Sequence, residues 1–312
     1  MTLTTPWGAD LDPDAVLQDY PRPQLVRDSY LNLNGYWQYA ITSARRDSAP
    51  SAGEWDGRIL VPFSPEAPLS GVNRQLQPQQ LLWYRRTLRL PEGFAGERVL
   101  LHFGAVDQSC TVTVNGVDVG GHDGGYLPFS LDVTEALAAG TRNAGTEHEI
   151  IVRVRDISDT GYASRGKQML DRGGIWYTAQ SGIWQTVWLE SVPRTSISRL
   201  DLVPDLESVS VTVHVDDCTP QEDGGSAGTP ADPDLRAAIT VSAGGRAVAD
   251  AVVVPGAATR IPVPDPHLWT PEDPFLYDVS VTLLSAGEEI DSASSYTGLR
   301  TFGVGPDNAG HT

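Results

Sequence analysis

The segment Ser109-Cys-Thr-Val-Thr-Val-Asn-Gly-Val-Asp-Val-Gly-Gly constrains the fold more than any other. Apolar side chains recur at alternate positions on both sides of Asn115-Gly116, a dipeptide that readily takes the left-handed conformations of a tight hairpin turn. Two antiparallel strands follow, because a helix of period 3.6 would scatter those side chains around its circumference. The alternation returns at Trp37, Tyr39 and Ile41. It also sets Leu82, Tyr84, Arg86 and Leu88 against Trp83, Arg85 and Thr87, and recurs in Arg98-Val-Leu-Leu-His-Phe and Glu147-His-Glu-Ile-Ile-Val-Arg-Val-Arg-Asp. Pro6, Pro13, Pro21 and Pro23 predict an extended, helix-free arm over residues 1–25. Only Asp132-Val-Thr-Glu-Ala-Leu reads as a helical turn, capped by Asp132 or Thr134.

Strands joined by turns, without intervening helices, predict an all-β chain whose first domain is a two-sheet jelly-roll β-sandwich. That domain takes residues 26–192. A hairpin of Ser196-Ile-Ser-Arg-Leu-Asp-Leu-Val and Val209-Ser-Val-Thr-Val-His-Val opens a second group of strands, which continues around Ala238-Ile-Thr-Val, Ala251-Val-Val-Val, Leu276–Leu284 and Ser292–Phe302. These outline an immunoglobulin-like β-sandwich over residues 193–303, leaving a short tail at 304–312. A total of 312 residues is enough for two such cores and too few for three.

A formal net charge of -18 argues against nucleic acid, whose phosphates would be repelled, and leaves neutral carbohydrate acceptable as a partner. No apolar run is long enough to span a bilayer, so no membrane partner is expected. The start lacks the basic and apolar regions of a signal peptide, and Cys110 and Cys218 are the only cysteines, which together predict a cytoplasmic protein without disulfides. The alternation places Cys110 in the core. Scattered histidines and the unspaced acids Asp216, Asp217, Asp232 and Asp234 give no metal-ligand pattern, and no cofactor is expected. Gly224-Gly-Ser-Ala-Gly has the spacing of a nucleophile elbow but lies in a Gly/Asp/Pro loop, without the strand and helix such an elbow needs.

From Gly173 to Glu190 the chain reads Gly-Gly-Ile-Trp-Tyr-Thr-Ala-Gln-Ser-Gly-Ile-Trp-Gln-Thr-Val-Trp-Leu-Glu. Three tryptophans and two glycine turns describe an aromatic loop recaptured by a strand. Ser-Gly-Ile-Trp-Gln-Thr-Val-Trp-Leu-Glu resembles the end of the sugar-binding domain of glycoside hydrolase family 2, the β-galactosidases, β-glucuronidases and β-mannosidases. Ile59-Leu-Val-Pro-Phe-Ser-Pro and His267-Leu-Trp-Thr-Pro-Glu-Asp-Pro-Phe-Leu-Tyr resemble other motifs of that family. The resemblance implies the sugar-binding and immunoglobulin-like domains of a β-glycoside hydrolase, with the catalytic glutamates on a (β/α)8 barrel beyond them. Its Asn-Glu acid/base marker does not occur in this chain, so no catalytic residue is expected here and the isolated chain is expected to be inactive. A stand-alone carbohydrate-binding module and a truncated remnant remain open as alternatives.

By the same resemblance, Asn115 corresponds to a sugar-hydroxyl ligand, although its place in an Asn-Gly turn explains it equally. Lys167, the sole lysine, and Gln168 match a loop motif of bacterial members and can donate directional hydrogen bonds to hydroxyls, or simply be solvated. Trp176, with Tyr177, can stack on a sugar face, fill a core or dock on the barrel. Left uncovered, such aromatic surface would favour self-association.

Overall fold

The computed structural model describes residues 4–94, 96–139, 147–217 and 232–305. Two compact units emerge, one drawn from Met1–Pro21 and Ser29–Ser191, the other from Arg22–Asp28 and Val192–Thr312. In the first unit the strands are β1 (Tyr30–Asn32), β2 (Gly35–Ser43), β3 (Gly57–Val61), β4 (Gln80–Leu88), β5 (Arg98–Phe103), β6 (Val106–Asp107), β7 (Ser109–Val114) and β8 (Val117–Asp123). They continue as β9 (Phe129–Asp132), β10 (His148–Arg155), β11 (Gln168–Met169), β12 (Tyr177–Thr178), β13 (Gly182–Ile183) and β14 (Val187–Val192).

A six-stranded sheet in the order β3-β2-β4-β10-β7-β8 and a four-stranded sheet in the order β1-β14-β5-β9 form the sandwich. Its core holds Trp37, Leu82, Tyr84, Leu101, Phe103, Val152, Ile183 and Leu189. The alternation along β4 sends Leu82 and Tyr84 into that core. The opposite face is not simply wet, because Trp83 and Ala40 are covered by Ala44, Ala49 and Trp55 in a second small cluster. Asn115 and Gly116, at φ 50° and 77°, make the hairpin turn that leaves Val114 opposite Val117. Cys110 is buried, and burial pushes its thiol up to about 11.

The helix-free arm needs correction. Helix α1 (Pro6–Ala9) forms because proline is tolerated in a first turn, where its missing N–H has no intrahelical partner to lose. The Thr5 hydroxyl caps it by accepting the Gly8 N–H at 3.1 Å. Helix α2 (Thr134–Ala139) starts where the sequence indicates, with the Thr134 N–H donated to Asp132 Oδ1 at 3.0 Å.

The second unit contains β15 (Thr195–Pro204), β16 (Ser208–Asp217), β17 (Arg236–Ala243), β18 (Arg246–Val253), β19 (Thr259–Pro262), β20 (Tyr277–Ser285) and β21 (Glu288–Thr297). Its sheets, β15-β16-β19 and β18-β17-β20-β21, enclose a core of Ile197, Val209, Val211, Val213, Ile239, Val279 and Val281. The strand β19 carries too little pattern to be read from sequence, since Ile261 is its one buried apolar residue. Among the described residues no helix is long and apolar enough to cross a membrane. Cys218, the Gly224-Gly-Ser-Ala-Gly spacing and residues 306–312 lie outside the described residues.

Residues 22–28 pack with the second unit, although the sequence pattern divides them between the arm and the first domain. Leu25 enters the second core, and Val26 exchanges backbone hydrogen bonds with Ser294 at 2.8 and 2.9 Å. The Arg27 guanidinium and the Asp291 carboxylate, whose side chains are 5% exposed, form a bidentate pair. Arg27 also donates to Ile197 O at 2.6 Å, while Asp291 Oδ2 accepts the Ile197 N–H at 2.7 Å. Asp291→Ala leaves Arg27 as an uncompensated buried charge and is expected to destabilise the second unit by about 3–5 kcal/mol. Residue-resolved hydrogen exchange at Val209–Val213 measures it, and protection there equal to wild type would refute the role given to the pair.

Candidate functional site

The segment between β10 and β14 covers one end of the six-stranded sheet. Arg155, at the end of β10, lies opposite Ser109 at the start of β7, so the segment leaves β10 at the end of the hairpin remote from its turn. It is tied to itself and to the sandwich. Gln168 pairs with Tyr177 in the short parallel β11–β12 ladder, and the Tyr177 N–H reaches Lys167 O at 2.8 Å. Gln168 Oε1 accepts the Gln180 N–H at 2.6 Å, Asp159 Oδ1 accepts the Leu170 N–H at 3.0 Å, and Gln75 Nε2 donates to Leu170 O at 3.0 Å. The Ser64 hydroxyl bonds the Gln180 carboxamide.

Three carboxyl groups interact beneath this segment. Glu66 Oε1 accepts the Leu76 N–H at 3.0 Å and the Ser181 hydroxyl at 2.7 Å, and Oε2 takes the Ser181 N–H at 3.1 Å. Asp156 Oδ1 accepts the Ser158 N–H at 2.7 Å. Asp107, 5% exposed, lies at the foot of the Gly125-Tyr126 loop. Burial, with the added repulsion of Asp156 and then Glu66, pushes its carboxyl up to about 7. Burial also raises Asp156 and Glu66 above the usual carboxylate range.

Two glycines make this closeness possible. A Cβ on Gly125 would stand 2.3 Å from Asp107 Oδ1, and one on Gly182, at φ 78°, would stand 2.1 Å from the Tyr84 hydroxyl. That hydroxyl accepts the Ile183 N–H at 3.1 Å, so the core tyrosine of β4 anchors the start of the last sheet return. Trp184 Nε1 donates to Gly125 O at 2.7 Å and packs edge-on to Tyr126, with ring centroids 6.2 Å apart. The Tyr126 hydroxyl bonds the Gln168 side chain and approaches Gly166.

Lys167, Gln168 and Trp176 therefore belong to one rim, joined by Tyr126 and Tyr177. Trp176 is 38% exposed and Tyr177 71% exposed, with Ile175 and Leu127 also open to solvent. Asn115 is not part of it. It occupies the opposite end of β7, about 20 Å away for a six-residue strand. Its Nδ2 donates to Ala136 O and to His148 Nδ1, each at 3.0 Å, and its Oδ1 accepts the Glu149 N–H at 3.0 Å. All of those bonds serve its own domain. Among the acids weighed for a metal, Asp232 is engaged by the Asp234 N–H and the Ser285 hydroxyl, and Asp217 by the Thr195 hydroxyl. Among the described residues no cluster of ligands suits a metal ion.

The acids and Tyr126 were not singled out by sequence motifs. Asp107 and Asp156 did carry a signal, since each ends an apolar alternation at a position a strand would bury.

Family models for "Glycosyl hydrolases family 2, sugar binding domain" and "Glycosyl hydrolases family 2" match residues 71–193 and 195–300. The chain belongs to glycosyl hydrolase family 2. Its rim, the buried Asp107 and Asp156 and the half-buried Glu66 lie within, or a few residues before, the segment matched as the family 2 sugar-binding domain. A β-galactosidase of Thermoanaerobacter pseudethanolicus is 29% identical over 70% of this chain and 28% of its own length. A β-glucuronidase of Paenibacillus borealis is 25% identical over 91% of this chain and 47% of its own. The structure of a Ruminococcus gnavus β-glucuronidase in complex with D-glucuronic acid superposes with a TM-score of 0.63 at 17% identity, covering 89% of this chain and 47% of that one. The chain thus spans less than half the length of these relatives.

Because the folded pKa of Asp107 lies above the ordinary carboxylate value, protonation favours the folded state. That contribution is complete below the unfolded pKa and is lost as pH rises through about 7. Asp107→Asn cannot ionise, so its stability relative to wild type is expected to rise by roughly 2–3 kcal/mol between about pH 5 and about pH 8. Urea unfolding across that range measures the difference, and parallel pH profiles for the two proteins would show that Asp107 ionises freely when folded.

Proposed function

We propose that this chain is the carbohydrate-engaging part of a family 2 glycoside hydrolase acting on terminal β-linked sugars, and that the rim of Lys167, Gln168 and Trp176 contacts the sugar. The observation that carries this reading is the convergence of an ammonium, a carboxamide and exposed aromatic faces on one rim of the family's sugar-binding domain. Pyranose rings present hydroxyls at their edge and C–H groups on their face. The amide and ammonium suit the first, and Trp176 and Tyr177 suit the second. Lys167 makes no ion pair or hydrogen bond through its side chain among the described residues, which leaves its donors available.

The carboxyl groups fit support better than hydrolysis. Glu66 and Asp156 accept backbone N–H groups, and Asp107 is buried under Gly125, so the reading assigns no acid/base or nucleophile to them. Hydrolysis is assigned to the remainder of a family-length enzyme, which is also the partner that would cover the apolar part of the rim. Asn115 is assigned a turn-stabilising role.

Titration of the chain with methyl β-glycosides, followed by amide chemical shifts, tests the assignment. Lys167→Ala is expected to weaken binding by about 0.5–1.5 kcal/mol, the range for a lost hydrogen bond, and Trp176→Ala by a comparable amount. Asn115→Ala is expected to lower folding stability by roughly 1–3 kcal/mol and to leave sugar affinity in place. Shift changes confined to the Asn115 turn, or release of an aryl β-glycoside that disappears with Asp107→Asn, would overturn the reading.

A further inference from the structure

Strand β15 forms one edge of the three-stranded sheet in the second unit, and its two halves meet different neighbours. Up to the bulge at Ser198 the edge is occupied, because the Ile197 N–H is taken by Asp291 Oδ2 and the Ile197 carbonyl by Arg27. From Arg199 to Pro204 it is open. Among the described residues the main-chain groups of this stretch bond to nothing beyond β16.

The hairpin register fixes which of these groups point outward. The Asp205 N–H donates to Ser208 O at 2.9 Å, and hydrogen-bonded pairs alternate along an antiparallel ladder, so Val203, Asp201 and Arg199 bond back to Ser210, Thr212 and His214. Leu202, opposite Val211, and Leu200, opposite Val213, therefore turn their N–H and C=O groups to the open side, as Pro204 turns its carbonyl. Side chains alternate with the same period. Leu200 and Leu202 lean on the core and stay half-buried, while Arg199, Asp201 and the 64%-exposed Val203 lie on the outer face. The stretch has no lysine and no inward-pointing charge, and its one proline stands at the end, so little in it blunts the edge against pairing.

We infer that this edge pairs with a second copy of the chain, antiparallel, about a two-fold axis through Leu202. In that register Leu202 exchanges two hydrogen bonds with Leu202 of the second copy, and each Leu200 N–H meets the Pro204 carbonyl of the other copy, so the outward N–H groups of the stretch are all satisfied. The half-buried leucines cover one another, and Arg199 comes opposite Asp205 of the second copy on the outer face. Neighbouring registers are worse. An axis at Asp201 sets two aspartates directly opposite, and an axis at Leu200 drives Val203 against Ile197, where Arg27 already holds the edge. Charge thus selects the register, while main-chain bonds and leucine burial supply the affinity. The three-stranded sheet continues through the same three strands of the other copy. So short a ladder falls below the size of a permanent interface, which makes the pair weak and dependent on concentration. It shares no residue with the rim of Lys167, Gln168 and Trp176, so its outcome is independent of sugar binding there.

Sedimentation velocity of the chain from about 10 µM to about 1 mM, with amide exchange read at both ends of that range, tests the pairing. A reversible monomer–dimer equilibrium is expected, with the Leu200 and Leu202 amides exchanging more slowly in the concentrated sample. Arg199→Glu, at a side chain 64% exposed, is expected to keep the thermal midpoint and to weaken the dimer about tenfold. Trp176→Ser is expected to leave dimerisation as in wild type. The inference is overturned by a chain that stays monomeric throughout, by a dimer whose Leu200 and Leu202 amides gain no protection, or by an Arg199→Glu dimer within about twofold of wild type. It is equally overturned by a dimer that Trp176→Ser abolishes, which would put the contact at the aromatic rim.

Discussion

The arrangement of the rim depends on a half-buried carboxyl group, that of Glu66. Glu66 accepts three hydrogen bonds, two of them from Ser181, and so clamps the end of the long β10–β14 segment to the loop that follows β3. Burial alone would make a carboxylate there unfavourable. Three donors offset part of that cost, while Asp107 nearby is raised by its own burial and then by the repulsion of Asp156 and Glu66.

The sandwich provides the fixed frame for that clamp. Tyr84 is fully buried between the sheets, packs edge-on to Trp37 at 6.4 Å and still presents its hydroxyl to the Ile183 N–H. One residue of β4 therefore serves both the apolar core and the polar join at Gly182. The second unit uses the same logic with different groups. There a buried guanidinium–carboxylate pair fastens residues 22–28 to the strands that begin at Thr195 and Glu288. In both units a segment distant in sequence is held by a desolvated charge whose partners all come from its own unit.

Much of this fold was legible because period-two alternation and Asn-Gly chemistry are local. The strands around Tyr84, Val112 and Val152 declare themselves within ten residues, and so does the turn at Asn115-Gly116. The helical turn at Pro6 was hidden because proline counts as a breaker everywhere except the first turn. The affiliation of Leu25 and Arg27 was hidden because their partners lie more than 160 residues away. The site was partly legible. Resemblance points to Lys167 and Gln168 and aromatic stacking to Trp176, and the fold brings these three onto one rim, whereas Asn115, indicated by its own family position, lies at the other end of β7. Glu66, Asp107 and Asp156 become a set only after three separate connections converge, which no spacing in the sequence encodes.

The central claim is that Glu66 fixes the segment bearing the rim. Amide hydrogen exchange in Glu66→Ala tests it directly. If Glu66 is the clamp, exchange at Leu76, Ser181 and the β11–β12 ladder accelerates by about ten- to a hundredfold while Val152 in the sheet centre keeps its protection. Unchanged exchange at Ser181, or acceleration spread evenly through the sandwich, would contradict the account.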